Sequence, residues 1–146
     1  RSGTLNAPAI VALATAATDK SYDSDAIAKI RDDFATRVLD VVPGAFVNAL
    51  NADRLPGIVN VTFPGTQSDT LLLLMDGESV SCSTGSACSA GVHRPSHVLM
   101  AMGHDEISAM SSLRFSFGRT STQADCDGAL AVLPSVITRG RAASGV

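Results

Sequence analysis

The fold is decided by the stretch VNVTFPG at positions 59–65. Its apolar side chains at 59, 61 and 63 alternate with Asn60 and Thr62, which is the pattern of a strand with one buried face. The Pro–Gly pair that follows ends the strand. A second stretch, LRFSF at 113–117, repeats the alternation around Arg114. These two stretches predict two strands of one sheet.

Helical patterns surround these strands. Apolar residues from Ile27 to Val41 step by three and four positions, which predicts a helix with one face on a core, while its charged residues, Arg31 among them, are expected to face solvent. Composition and capping residues predict further helices at 9–17, at 71–75, at 95–102, and from Ser121 onward, where Pro134 is expected to kink the helix or open a new turn. Weaker strands are predicted at 45–50 and 79–82. This order favours an α+β fold: a small, mainly antiparallel sheet covered by helices, with long N-terminal connecting helices.

Composition narrows the class of protein. With 146 residues, 45% of them apolar and 17% charged, the chain is long enough for one domain with its own core. A net charge of −3 and few aromatic residues argue against nucleic-acid binding. No apolar run approaches the roughly 20 residues that span a bilayer, and no signal peptide is visible. Three irregularly spaced cysteines without a CxxC pair argue against disulfides and zinc. We therefore expect a cytoplasmic protein with no metal, no nucleic acid and no membrane as partner.

The most unusual stretch is SCSTGSACSAG at positions 81–91, where every residue is Gly, Ala, Ser, Thr or Cys. Such residues favour turns over helix interiors. A loop of this kind could carry the thiol of Cys88 to a reaction partner, or Cys88 could be a small buried filler. Three histidines follow as candidate bases, although spacing alone does not place them beside the thiol: His93, His97 and His104. Cys82 and Cys126 are expected to be structural.

Arg114 is the candidate binding residue. It alternates with apolar neighbours, so its side chain is expected on the opposite face of its strand. A guanidinium is the side chain best suited to bind a carboxylate through two hydrogen bonds. The alternative is an exposed cation on the solvated face of the sheet.

Five segments in order resemble a known family. They are RSGT at 1–4, VNVTFPG at 59–65, TGSAC at 84–88, PSHVL at 95–99 and LRFSFGR at 113–119. Each is similar to a segment of the cysteine desulfurases of the NifS/IscS type, which are pyridoxal-phosphate enzymes of the class V aminotransferase group. The resemblance extends from position 1 to about position 139.

The resemblance implies a function and a site. Members of this family use pyridoxal 5'-phosphate to take sulfur from L-cysteine, which releases L-alanine and leaves a persulfide on an enzyme cysteine. Cys88 matches that cysteine, in the long loop typical of the branch that serves iron–sulfur cluster assembly. Arg114 matches the arginine that holds the substrate carboxylate. Thr4 matches the threonine that reaches the cofactor phosphate across a homodimer. The implied partners are L-cysteine and an iron–sulfur scaffold or another sulfur acceptor protein.

The resemblance also implies a division of the chain. The family's cofactor lysine precedes the segment that matches RSGT, so we expect a C-terminal part: positions 1–22 the end of a large domain and a connecting helix, and positions 23–146 a small domain that carries the cysteine loop at 79–95. Alone, such a part is expected to be inactive. The alternatives are a cofactor-free sulfur carrier or interaction module, and part of a selenocysteine or cystine lyase.

Overall fold

The computed structural model describes residues 3–19, 23–84 and 94–145. Within these ranges helices and strands alternate along the chain. In order they are α1 (Ala7–Thr18), α2 (Ser24–Val41), β1 (Phe46–Val47), β2 (Ile58–Thr62), α3 (Ser68–Gly77), α4 (His97–Ala101), α5 (Glu106–Met110), β3 (Ser112–Ser116) and α6 (Gln123–Ala143).

The strands form one antiparallel sheet in the order β1–β2–β3. In the β2–β3 register Val59 lies opposite Phe115, and Val61 lies opposite Leu113. These four side chains are buried on one face of the sheet. The predicted α+β fold, a small antiparallel sheet with helices, is therefore confirmed.

Three helices cover the apolar face of the sheet. Residues of α2, α3 and α6 join the four buried strand residues in a single core cluster. Phe34 of α2 is fully buried in this cluster, with its ring centroid 4.8 Å from that of Phe115 and 5.5 Å from that of Phe117. The predicted apolar stripe of α2 therefore packs as expected, because Ile27 and Val38 are buried on the same side.

Several element boundaries differ from the sequence-based prediction. The strand expected at 45–50 contains only β1, and α5 was not predicted. Segment 79–82 does not join the sheet as a strand; a single bridge pairs Ser83 with Arg114. Helix α6 begins after Thr122, whose side chain and Asp125 form a capping box, and it continues as one helix through Pro134.

Arg31 corrects the expectation that the charged residues of α2 all face solvent. Its side chain is only 8% exposed, and its Nη1 donates a hydrogen bond of 3.0 Å to the carbonyl oxygen of Leu55. The long apolar stem of an arginine can pack on a core while its guanidinium finds an acceptor. Arg31 therefore ties α2 to the turn before β2.

Helix α1 differs from the other long helices because it has no buried residue. Apolar side chains along it and just before it are 52–78% exposed: Leu5, Ile10, Val11 and Leu13. Among the described helices, none combines the length and apolar character needed to cross a membrane.

Candidate functional site

The second face of the sheet is polar and carries the candidate site. Asn60 lies opposite Arg114 in the β2–β3 register, and Thr62 lies opposite Ser112. Side chains two residues apart on a strand share a face, so all four point away from the core. The prediction that Arg114 lies on the face opposite its apolar neighbours is therefore confirmed.

The backbone of Arg114 is bonded on the edge of β3 that faces away from β2. Its N–H donates to the carbonyl oxygen of Ser83 at 2.7 Å, and its carbonyl oxygen accepts from the N–H of Ser83 at 3.0 Å. This pair of bonds fixes the chain just before the cysteine loop against the strand that carries Arg114.

The guanidinium of Arg114 has unused hydrogen-bonding capacity. Its Nε is buried and has no hydrogen-bond partner among the described residues, although the side chain as a whole is partly exposed. A buried donor without an acceptor is unfavourable by about 1–3 kcal/mol, and more for a charged group. Such a donor is available to an acceptor from outside the described residues.

A chain of hydrogen bonds lies beside Arg114 on the same face. The Asn48 amide nitrogen donates to Asn60 Oδ1 and, at 2.9 Å, to Thr62 Oγ1. Thr62 Oγ1 lies 2.7 Å from Ser112 Oγ, which donates at 2.8 Å to the carbonyl oxygen of Ser108. Asn48, Thr62 and Ser112 are buried, whereas Asn60 is partly exposed. These hydrogen bonds were not predicted. Alternation places Asn60 and Thr62 on one face, but only the strand register brings them to Asn48 and Ser112.

The predicted nucleophile, Cys88, lies outside the described residues, and so does His93. Of the other two candidate bases, His97 is exposed at the start of α4. His104 stacks on Phe46, with a ring separation of 5.9 Å and an interplanar angle of 18°.

The other two cysteines are poor nucleophiles. Burial, with a smaller contribution from Asp76, raises the pKa of the Cys82 thiol to about 11. Burial and the neighbouring Asp33 carboxylate likewise raise the pKa of Cys126 to about 11. Because the thiolate is the reactive form, both side chains are protonated and unreactive near neutral pH. This agrees with the structural roles expected for them.

Asp33, Cys126 and Asp127 place potential metal ligands within 4.8 Å of one another. The two carboxylates already have partners: Arg37 Nη1 lies 2.8 Å from Asp33 and 2.6 Å from Asp127. Gln123 donates to both as well. We interpret this cluster as an ion-pair network that joins α2 to α6.

Thr4 lies on an exposed stretch before α1, away from the buried core. Its role toward a cofactor phosphate stays a prediction. A groove of about 610 Å³ lies between residues 78–81, the end of β3 and α6, and Arg114 is not among its lining residues. Ser116, at the end of β3, lines this groove.

Pyridoxal phosphate, which the resemblance implies, needs a lysine. The sequence contains Lys20, outside the described residues, and Lys29. Lys29 is exposed on α2, which packs on the apolar face of the sheet, so it lies on the side opposite Arg114. The described residues therefore do not fit a cofactor held through Lys29 beside Arg114.

Comparison with protein families gives a match over most of the chain. A model of the family described as "Aminotransferase class-V" matches residues 1–128. An "IscS-like cysteine desulfurase" of Mycobacterium tuberculosis is 44% identical over 149 aligned positions, covering 99% of this chain and 38% of that protein. "Cysteine desulfurase IscS 1" of Archaeoglobus fulgidus is 39% identical over 148 positions, covering 99% and 38%. "Cysteine desulfurase NifS" of Azotobacter vinelandii is 32% identical over 145 positions, covering 97% and 36%.

Solved structures give the same result for the fold. A NifS-like protein from Rickettsia africae superposes with a TM-score of 0.73 at 28% identity, covering 94% of this chain and 36% of that one. Another structure described as a NifS-like protein gives a TM-score of 0.74 at 26% identity, covering 95% and 35%. The chain thus spans little more than a third of the length of these relatives.

Proposed function

Because this chain belongs to the aminotransferase class-V family, we propose that it is the C-terminal small domain of a cysteine desulfurase. In this proposal residues 23–146 form that domain and positions 1–22 connect it to the large domain. The proposed enzyme takes sulfur from L-cysteine and releases L-alanine. The names of the aligned relatives support this substrate.

One observation carries the proposal at the level of the site: the unpartnered Nε of Arg114 on the polar face of the sheet. L-Cysteine carries a carboxylate, and a guanidinium can bind a carboxylate through two parallel hydrogen bonds. We therefore assign Arg114 to the substrate carboxylate. Bound there, the substrate is oriented by a group that takes no part in the chemistry at sulfur.

Cys88 is the proposed sulfur acceptor. Its thiolate forms an S–S bond with the substrate sulfur as the substrate Cβ–S bond breaks; the electron pair stays with carbon, which is protonated to give L-alanine. The high pKa values of Cys82 and Cys126 support this assignment by making both poor competitors. Cys88 follows Ser83, which is bonded to Arg114, by five positions, so their Cα atoms can be at most about 18 Å apart.

The cofactor in this proposal is pyridoxal 5'-phosphate, held by a lysine outside these 146 residues. When bound, it supplies an electron sink for the substrate carbanion. We further propose a homodimer in which Thr4 contacts the cofactor phosphate, a cytoplasmic location, and a sulfur acceptor protein of iron–sulfur cluster assembly as partner.

A cofactor-free sulfur carrier is the second candidate. It is favoured by the position of Lys29, on the side of the sheet opposite Arg114. A carrier accepts a persulfide on Cys88 from another protein and releases no alanine from L-cysteine. The choice between these candidates therefore depends on alanine release by the full-length protein.

The test measures L-alanine released from L-cysteine by the full-length protein with pyridoxal phosphate. We expect turnover, and we expect Arg114→Lys to raise KM by about tenfold or more, because a lysine cannot form the two-pronged bond. Arg119→Lys is the matched control, since Arg119 is exposed and its Nη1 donates to Asp19 Oδ2 at 3.2 Å. If the wild-type protein releases no alanine, the desulfurase proposal is refuted and the carrier is the remaining candidate of the two.

A further inference from the structure

We propose that the side-chain amide of Asn60 is a second donor to the carboxylate that Arg114 binds. This inference rests on the proposed function and extends its substrate site by one residue. Three observations support it: the strand register, the directions of the hydrogen bonds around Asn60, and the partial exposure of its side chain.

The register brings Asn60 and Arg114 close together. Residues that face each other across antiparallel strands alternate between pairs that exchange backbone bonds and pairs that do not. The N–H and carbonyl of Arg114 both bond to Ser83, on the other side of β3. The carbonyl of Asn60 accepts from the N–H of Asn48, on the other side of β2. Asn60 and Arg114 therefore form a non-bonded pair, in which Cα atoms are only about 4.5 Å apart and the side chains are closest.

The hydrogen-bond chain fixes which way the Asn60 amide points. Ser112 Oγ uses its hydrogen on the carbonyl of Ser108, at 2.8 Å. The contact of 2.7 Å between Thr62 and Ser112 then needs the hydrogen of Thr62. Thr62 Oγ1 must therefore accept from Asn48, at 2.9 Å, which orients the Asn48 amide with its nitrogen toward Thr62 and Asn60.

It follows that Asn60 presents its oxygen to Asn48 and keeps its nitrogen free. Asn60 Oδ1 is the acceptor in this pair, so its Nδ2 carries the remaining two hydrogens and has no partner among the described residues. The side chain is partly exposed, so a ligand can reach it. Because Asn48 is buried and uses both its hydrogens, it holds the Asn60 amide in one orientation.

The side chains of Asn60 and Arg114 thus present hydrogen-bond donors, and no acceptor, to a ligand bound between them. A neutral group cannot satisfy two neighbouring donors as well as a carboxylate, whose two oxygens accept from several donors at once. The pair is therefore selective for a free carboxylate over its ester or amide. An orientation held by Asn48 also makes this donor preorganised, so little entropy is lost when the substrate binds.

The decisive variant is Asn60→Asp. An aspartate keeps the oxygen that Asn48 needs but replaces the free donor by a negatively charged acceptor. In the full-length enzyme we expect KM for L-cysteine to rise by about tenfold or more, with a smaller change in kcat. We also expect the ratio of kcat/KM for L-cysteine to that for L-cysteine methyl ester to fall. A purely structural role for Asn60 leaves that ratio unchanged.

Two further variants complete the design. Asn60→Ala, checked for folding by circular dichroism, decides the question if the aspartate variant does not fold. Ser116→Ala is the matched control, because Ser116 is exposed on the same face of β3 and lies opposite Ile58 instead. We expect Asn60→Ala to raise KM and lower the selectivity ratio, and Ser116→Ala to change neither.

The outcomes separate this inference from the proposed function. Folded Asn60 variants with KM and ester selectivity within twofold of wild type overturn the inference, even if Arg114→Lys raises KM. A wild-type protein that releases no alanine from L-cysteine overturns the proposed function, and with it the substrate on which the inference rests.

Discussion

At the scale of single residues, the structure gives the environments of Cys82 and Cys126, and both environments disfavour the reactive thiolate. Cys82 packs against the core, and Cys126 is fully buried on α6 beside Asp33. Cys88 is distinguished in the sequence by its small neighbours and by the family resemblance. Burial raises the pKa of the other two thiols. That burial depends on tertiary packing, which no local sequence pattern predicts.

The burial of Cys82 and Cys126 predicts that both thiols are alkylated slowly in the folded protein. With pKa values of about 11, Cys82 and Cys126 are expected to react with iodoacetamide at pH 8 roughly a hundredfold more slowly in the folded protein than in urea, since a free thiol has a pKa of about 8.5. Their rates should climb as the pH approaches 11. Mass spectrometry of peptides after timed quenching measures the rates. Equal rates for folded and unfolded Cys126 at pH 8 would contradict its burial.

Arg114 and Asn60 show which structural features an alternating strand pattern can predict. Alternation alone placed Arg114 on the polar face, because the period of a strand is two. The pairing of Arg114 with Asn60 could not be predicted, since it depends on the register between two strands far apart in sequence. Register is set by the packing of the apolar face as a whole.

At the scale of elements, the β2–β3 pair positions the site. The ladder continues past both strands, where the N–H of Phe117 donates to the carbonyl of Gly57 at 2.7 Å. A Cβ at Gly57 would clash with the carbonyl oxygen of Phe117. The close approach of these two backbones therefore requires glycine at position 57, and it helps to hold Asn60 opposite Arg114.

Replacement of this glycine tests the claim. Gly57→Ala is expected to lower the free energy of unfolding by about 2 kcal/mol, because the backbones must separate to admit the methyl group. Gly128→Ala is the control: its Cβ meets nothing within 4 Å on helix α6, so we expect no loss and a gain of up to about 1 kcal/mol. Urea denaturation measures both. Equal stability of the two variants would show that the Gly57 contact is unimportant.

The helices were predicted with uneven success for physical reasons. The apolar stripe of α2 was found because a period of three and four residues reports a buried helix face. The short helix α5 was missed because five residues are too few to show a period. Pro134 does not end α6, whose packing against α2 and α3 in the core outweighs the loss of one backbone donor.

At the scale of the whole molecule, one compact α+β unit accounts for the core, while α1 buries no residue. The sheet separates two environments: helices α2, α3 and α6 on its apolar face, and the candidate substrate site on its polar face. The order of the predicted helices and strands favoured the α+β fold, and the solved structures confirm it. The contacts of Thr4 and Cys88 depend on parts of the proposed enzyme beyond the described residues, so both roles stay predictions.

The central claim is that Cys88 receives sulfur from L-cysteine, and persulfide mapping tests it most directly. The full-length protein is incubated with L-cysteine, alkylated, digested and analysed by mass spectrometry, alongside Cys82→Ser, Cys126→Ser and Cys88→Ser variants. We expect the persulfide on the peptide of Cys88 in the wild type and in the first two variants, and its loss in Cys88→Ser. A persulfide on Cys82 or Cys126, with none on Cys88, would contradict the account.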